Sequence, residues 1–203
     1  MYSLEQYYNL LSSKHNIEFV VCMNSDDVTM NNEEIKKFLG KFKNLKFYYK
    51  NYTCKTDAVN DEVSNRNFDI LITASDDLYP TVKNYDNIVY NDMMQYFPNL
   101  DGCLNYNLSI KKNRIRVSYQ GIMGINLYKI FGYIVNPLYK NIYGDHDIHR
   151  IVTRLNKTQF INKNIFIHRF NKNDNLIKEN AIKWTEHDRK TYEQREKQGF
   201  PIP

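Results

Sequence analysis

The stretch FDILITASDDLYP, residues 68–80, decides how this chain is read. Residues 68–73 form an apolar, β-rich run of buried-strand length. Two carboxylates, Asp76 and Asp77, follow where such a strand would emerge, and Pro80 is expected to stop it. Adjacent acidic side chains repel each other unless a cation or a bound proton neutralises them. A hard divalent cation is the economical explanation, because Mg²⁺ or Mn²⁺ is often held by one or two carboxylates plus the phosphates of a substrate. The plain alternative is a solvated turn after a strand.

Outward from this stretch, helices and strands alternate. Residues 2–11 read as a helix with Leu4, Tyr7, Tyr8 and Leu11 on one stripe. Residues 17–23 and 45–49 read as strands. Between them Ser25, Asp26 and Asp27 open a loop, and Asn31 or Asn32 caps a helix through Leu39. A helix over 56–65 has Asp57 near its positive end. Another over 87–97 is halted by Pro98. Residues 102–107 and 114–118 read as strands, with a hairpin across 111–113. A short helix covers 126–131. A clearer one covers 147–155, with Ile148, Ile151, Val152 and Leu155 on one face. Residues 160–168 read as a last strand.

This order predicts an α/β domain over 1–170, with a mainly parallel central sheet covered on both faces. Ligands then sit outside the carboxyl ends of the strands. Asp26, Asp27, Asp76 and Asp77 fall at such ends and predict one shared cleft. Residues 171–203 are polar and charged, and predict a docked helical tail or a lid, with Trp184 as packing anchor.

Composition sets bounds. A chain of 203 residues fits one domain, long enough to bury roughly 70% of its unfolded surface without disulfides. Its hydrophobic fraction of 42% excludes a disordered chain. No apolar run approaches the ~20 residues that span a bilayer, and no basic segment followed by an apolar core opens the chain. Cys22, Cys54 and Cys103 form no Cys-x-x-Cys pair; Cys22 reads as a core residue. Free thiols and a cytoplasmic setting are expected. The Asn-x-Ser/Thr matches at Asn51, Asn107 and Asn156 then carry no glycan. The net charge of +5 suits an anionic partner such as a sugar nucleotide or a nucleic acid. A lysine-rich composition gives the same charge without any function.

Further motifs follow in order: KTDAVN at 55–60, SDD at 75–77, YD at 85–86, FPNLDG at 97–102, IMG at 122–124, FGY at 131–133, YGDHD at 143–147 and IFIH at 165–168. This series resembles phage and bacterial family-2-like glycosyltransferases with the GT-A fold, over about residues 2–170. The resemblance implies a GT-A-like three-layer sandwich in the cytoplasm of a bacterial or phage-infected cell. It implies a nucleoside-diphosphate sugar as donor, Mn²⁺ or Mg²⁺ as cofactor, and a hydroxyl acceptor on a glycan, a protein or a modified nucleic acid.

By the same resemblance, Asp77 binds the metal directly, with Asp76 beside it or just outside. His168 matches the late family histidine that completes the metal site, and imidazole suits Mn²⁺ better than Mg²⁺. Asp147 matches the acidic residue facing the acceptor and is the first choice for general base; Asp145 is the second. An Asp before Ile148 is also an ordinary helix cap. His146 and His149 look metal-like but have no motif behind them. Lys55, Asp57 and Asn60 match the segment that touches the nucleotide. Asp26 and Asp27 match the acidic turn that binds the base, and such turns equally cap helices. Gly124 would let backbone approach the acceptor sugar.

Two departures stand out. The family begins with an apolar strand ending in a Pro-Thr-Arg-like turn, whereas this chain begins at the following helix. Asn24 stands where the family commonly has Asp. The expected consequence is an open sheet edge beside residues 17–23, covered by a homodimer partner or by 171–203. Two other functions fit the same residues. Asp76, Asp77, Asp145, Asp147 and His168 could hold two cations in a nuclease or phosphotransferase. Lys111, Lys112, Arg114 and Arg116, with Tyr106 and Tyr119, suit a non-catalytic anion- or nucleic-acid-binding descendant of the fold, or simply a solvated hairpin.

Overall fold

The computed structural model describes residues 2–108, 120–169 and 175–202. Helix α1 (Tyr2–Asn9) leads to strand β1 (Phe19–Asn24) and helix α2 (Glu33–Leu39). Asn32 caps α2 as expected: its backbone is extended and its side chain accepts from Ile35 N at 3.0 Å. Strand β2 (Leu45–Lys50) runs parallel to β1, with Phe19 opposite Leu45 and Asn24 opposite Lys50. Helix α3 (Lys55–Asn60) ends five residues before the expected 65. Lys50 at the end of β2 pairs with Asp61 at 2.8 Å and Glu62 at 2.7 Å. Those contacts draw the chain out of the helix, and Glu62 takes a left-handed turn at φ 61°.

Strands β3 (Ile70–Ile72) and β4 (Leu78–Pro80) follow, then helix α4 (Tyr85–Tyr96) and strands β5 (Cys103–Tyr106) and β6 (Ile122–Gly124). Helices α5 (Ile125–Phe131) and α6 (Gly144–Arg154) come next, then strands β7 (Thr158–Ile161) and β8 (Phe166–His168), and finally helix α7 (Asn175–Lys197). The expected strand at 114–118, and Lys111, Lys112, Arg114, Arg116 and Tyr119, lie outside the described residues.

The single, mainly parallel sheet expected from the sequence is not what forms. Among the described residues there are three small sheets: parallel β1–β2, antiparallel β4–β8, and a mixed sheet in the order β3-β6-β5-β7. In the mixed sheet β6 is antiparallel to β3 and to β5, and only β5–β7 is parallel. Two runs that read as one strand each are broken in two. Residues 68–80 leave the β3 ladder after Thr73 and join β8, where Pro80 sits opposite Phe166. Pro80 therefore closes a second short strand rather than stopping the first, a position that needs no ladder donor. The last run breaks where Lys163 N donates to Ile161 O at 2.8 Å, separating β7 from β8.

Helices still cover both faces of the mixed sheet. Leu104, Tyr106 and Ile122 face a core with Tyr7 of α1, Val89 and Met93 of α4, and Phe166. Their neighbours Cys103 and Met123 face the other way, onto Leu127 of α5 and Ile148, Ile151 and Val152 of α6. This period-two alternation divides the side chains of the mixed sheet between two hydrophobic clusters. A third cluster, Met23, Ile35 and Leu39, seats α2 on the β1–β2 pair.

Helix α7 is docked. Buried Asp188 accepts the backbone N–H groups of Lys140, Asn141 and Ile142 at 2.9, 2.8 and 2.9 Å. Phe200, just beyond the helix, joins the core between α5 and α6. Trp184 is half-buried, with its indole nitrogen enclosed, and its ring meets Lys183 and His187 of its own helix. Among the described residues, the only strand partner of β1 is β2. Cys22, Cys54 and Cys103 are all free. No helix among the described residues is long and apolar enough to cross a membrane.

Candidate functional site

The β4–β8 pairing places Leu78 opposite His168, so Asp77 arrives one step before the register position of the histidine. His168 Nε2 lies 2.9 Å from Asp77 Oδ2. Ser75 Oγ donates to Asp77 Oδ1 at 2.6 Å, and Arg169 N donates to the Asp77 carbonyl at 2.7 Å. The carboxylate is thus fixed at both ends. The side chains of Asp77 and His168 are 26% and 25% exposed. Burial by itself would raise the Asp77 carboxyl. The Ser75 hydroxyl, the His168 ring and the charge of Lys55 outweigh it and hold the group below its ordinary value.

One carboxylate and one imidazole make a mixed oxygen–nitrogen donor pair, which suits Mn²⁺. A six-coordinate cation held by two protein groups keeps most of its positions for substrate oxygens and water. Among the described residues no three His, Cys, Asp or Glu side chains gather into a metal cage. Asp76 is exposed beside the pair.

The other expected site residues have different surroundings. Asp147 is fully buried at 0% exposure. Its carboxylate accepts from Tyr139 Oη at 2.8 Å and from two nitrogens of Arg195 on α7, one of them at 3.1 Å. A carboxylate so enclosed is a clasp between α6 and α7, and it is not free to accept an acceptor's proton. Asp145, in the first turn of α6, is 44% exposed with His146 Nε2 3.9 Å away. Burial first, and the charge of Arg150 second, lower the pKa of His149.

Asp27 accepts from Thr29 N at 2.9 Å and Thr29 Oγ1 at 2.6 Å, the pattern of a loop-stabilising turn, while Asp26 is exposed. Asp57 accepts from the backbone and hydroxyl of Thr53, closing the turn before α3. Asn60 accepts from Ile134 N at 2.9 Å and Val135 N at 3.0 Å and donates to Val135 O at 2.6 Å. It therefore latches the loop after the FGY motif onto α3. Lys55, the first residue of α3, is exposed, and its charge contributes to lowering the pKa of Asp77. Gly124 is required by a close backbone approach: a Cβ there would meet Leu100 O at 2.3 Å.

Sequence reasoning missed Ser75, Tyr139, Asp188 and Arg195. Asp188 and Arg195 recur two turns apart on one face of a polar helix, a faint signal of a buried polar seam. The partners that make the seam meaningful are distant in sequence. No known protein family matches this chain, and no curated protein matches it as a relative.

Proposed function

We propose that this chain is a metal-dependent glycosyltransferase of GT-A-like architecture, moving a sugar from a nucleoside-diphosphate donor to a hydroxyl acceptor on a glycan, a protein or a modified nucleic acid. The observation that carries the reading is the Asp77–His168 contact at 2.9 Å. Two motifs that are far apart in the chain, an acidic pair after a strand and a late strand histidine, meet as one donor pair. Asp77 and His168 would hold a divalent cation, whose charge would offset that of the departing diphosphate. Ser75 orients the Asp77 carboxylate, and the positive charge of Lys55 is felt at Asp77. Asp76 is exposed and would add negative charge beside a bound cation.

The general base moves from the first choice to the second. Asp147 is committed to Arg195 and Tyr139, so Asp145 is the carboxylate of its segment left to take the acceptor proton. The same commitment argues against a two-cation nuclease, which needs Asp147 as a ligand.

A thermal-shift screen of nucleoside diphosphates and sugar nucleotides, with and without Mn²⁺, tests the reading. Ligands that bind only the folded protein raise its melting temperature by mass action. A Mn²⁺-dependent rise with a nucleoside diphosphate, lost in Asp77→Ala, is expected. No rise at millimolar ligand contradicts it.

A further inference from the structure

We propose that the pocket between the end of α1, the loop after it and the starts of β1 and β2 binds a small molecule with an aromatic body and an anionic head. The pocket holds about 350 Å³ and opens to solvent. That size falls among small-ligand sites, which are concave, mostly apolar and furnished with a few placed polar groups. None of Ser75, Asp77 and His168 lines it, so it is a different site from the candidate metal pair. Tyr8, Ile17 and Phe19 give it apolar, half-buried walls. Ser13, Lys43 and Asn44 give it an exposed polar rim. Among the described residues that line it, none is acidic.

The walls are fixed before any ligand arrives. The Tyr8 ring meets Phe19 and Phe42, with centroids 5.9 and 5.0 Å away. The loop after α1 is tied to α4, because Ser12 N and Oγ donate to buried Asp86 at 2.9 and 2.6 Å. His15, which also lines the pocket, has Nε2 3.3 Å from Asn87 Oδ1 and its ring 4.6 Å from that of Tyr90. A site built in advance spends little binding energy on ordering itself. Two aromatic walls favour an aromatic guest, which can meet them edge to face. Lys43 supplies a cation, and Ser13 and Asn44 supply further hydrogen-bond donors. An anionic head accepts from these donors in charge-assisted bonds while the ring leaves water. The absence of a lining carboxylate means that nothing in the pocket repels such a head.

The test is an amide NMR titration with phenyl phosphate, with phenol as the probe lacking the charge and inorganic phosphate as the probe lacking the ring. Shifts on adding phenyl phosphate should centre on residues 8–19 and 43–44. Phenol, and phenyl phosphate with Lys43→Glu, should each bind roughly tenfold or more weakly, the usual worth of hydrogen bonds to a charged group. Inorganic phosphate should bind more weakly than phenyl phosphate, because it buries no ring. Lys129→Glu, the same charge change on exposed α5 surface, should bind as wild type does. Lys43 and Lys129 are both exposed, so both variants should melt close to wild type. No shifts at millimolar phenyl phosphate, or shifts centred elsewhere, overturn the site. Equal affinity for phenol overturns the anionic head, and equal affinity for inorganic phosphate overturns the aromatic body. Equal weakening by Lys43→Glu and Lys129→Glu shows attraction to net charge alone and overturns the proposal.

Discussion

His168 reaches Asp77 across 91 residues of sequence, Nε2 to Oδ2 at 2.9 Å, because β8 pairs antiparallel with β4. Both strands are three residues long. Their value is positional: they bring an acidic turn and a strand-end histidine to one point, with Ser75 fixing the carboxylate.

Asp77 carries a pH signature. Its folded-state pKa lies below the ordinary value. It therefore contributes stability that is present above the unfolded carboxyl pKa of about 3.9 and is lost as pH falls through the lower folded value. Thermal melts of wild type and Asp77→Asn between about pH 3 and 7 check this. The melting-temperature gap is expected to be widest above roughly pH 5 and to close on acidification. A gap that widens in acid contradicts it.

Arg195→Ala leaves Asp147 buried without its cation. Breaking a buried pair from one side costs about 3–5 kcal/mol, so the midpoint of urea denaturation should fall sharply. The paired replacement Asp147→Asn with Arg195→Met, which removes both charges, should recover part of that loss. Equal losses in the single and double variants would mean that packing, not charge, holds α7.

Asp188→Ala removes the common acceptor of three backbone N–H groups in residues 140–142. Each buried unsatisfied donor costs about 1–3 kcal/mol unless water reaches it. Hydrogen exchange at these amides should quicken, and α7 should become open to proteolysis. Unchanged exchange at 140–142 would remove Asp188 as the tail's anchor.

Much of this was legible in the sequence, for identifiable reasons. The face of α6 formed by Ile148, Ile151 and Val152 is buried as its helical spacing predicts. Asn32 caps α2 because a short polar side chain before a helix has few better uses. The meeting of Asp77 and His168 was expected only from the resemblance to a known family, since nothing in periodicity or spacing ties residues so far apart. Sheet topology was not legible. Residues 68–80 carry one hydrophobic pattern, but Asp77 and Arg169 exchange a backbone bond that splits it into strands of two different sheets. Periodicity reports which side chains face a core, not which partner a strand takes. Asp147 misled for a related reason: an acid at a helix start looks the same whether it faces solvent or an arginine from a distant helix.

Asn60 and Lys55 share one motif and should separate cleanly. Asn60→Ala loses three hydrogen bonds to Ile134 and Val135 and should destabilise the fold by about 1–3 kcal/mol. Lys55 is exposed, so Lys55→Ala should melt within a degree or so of wild type, since surface changes usually fall within ±0.5 kcal/mol. It should instead weaken Mn²⁺-dependent binding of a nucleoside diphosphate several-fold. The reverse pattern, a stable Asn60→Ala and a destabilised Lys55→Ala, would contradict both assignments.

The sharing of one cation by Asp77 and His168 is tested most directly by pulsed electron paramagnetic resonance of Mn²⁺ bound to the protein together with uridine diphosphate. Imidazole nitrogen modulation of the Mn²⁺ signal should be present in wild type and absent in His168→Gln, and Asp77→Ala should bind no Mn²⁺. Protein-bound Mn²⁺ without nitrogen modulation, or modulation that survives in His168→Gln, would contradict the shared site.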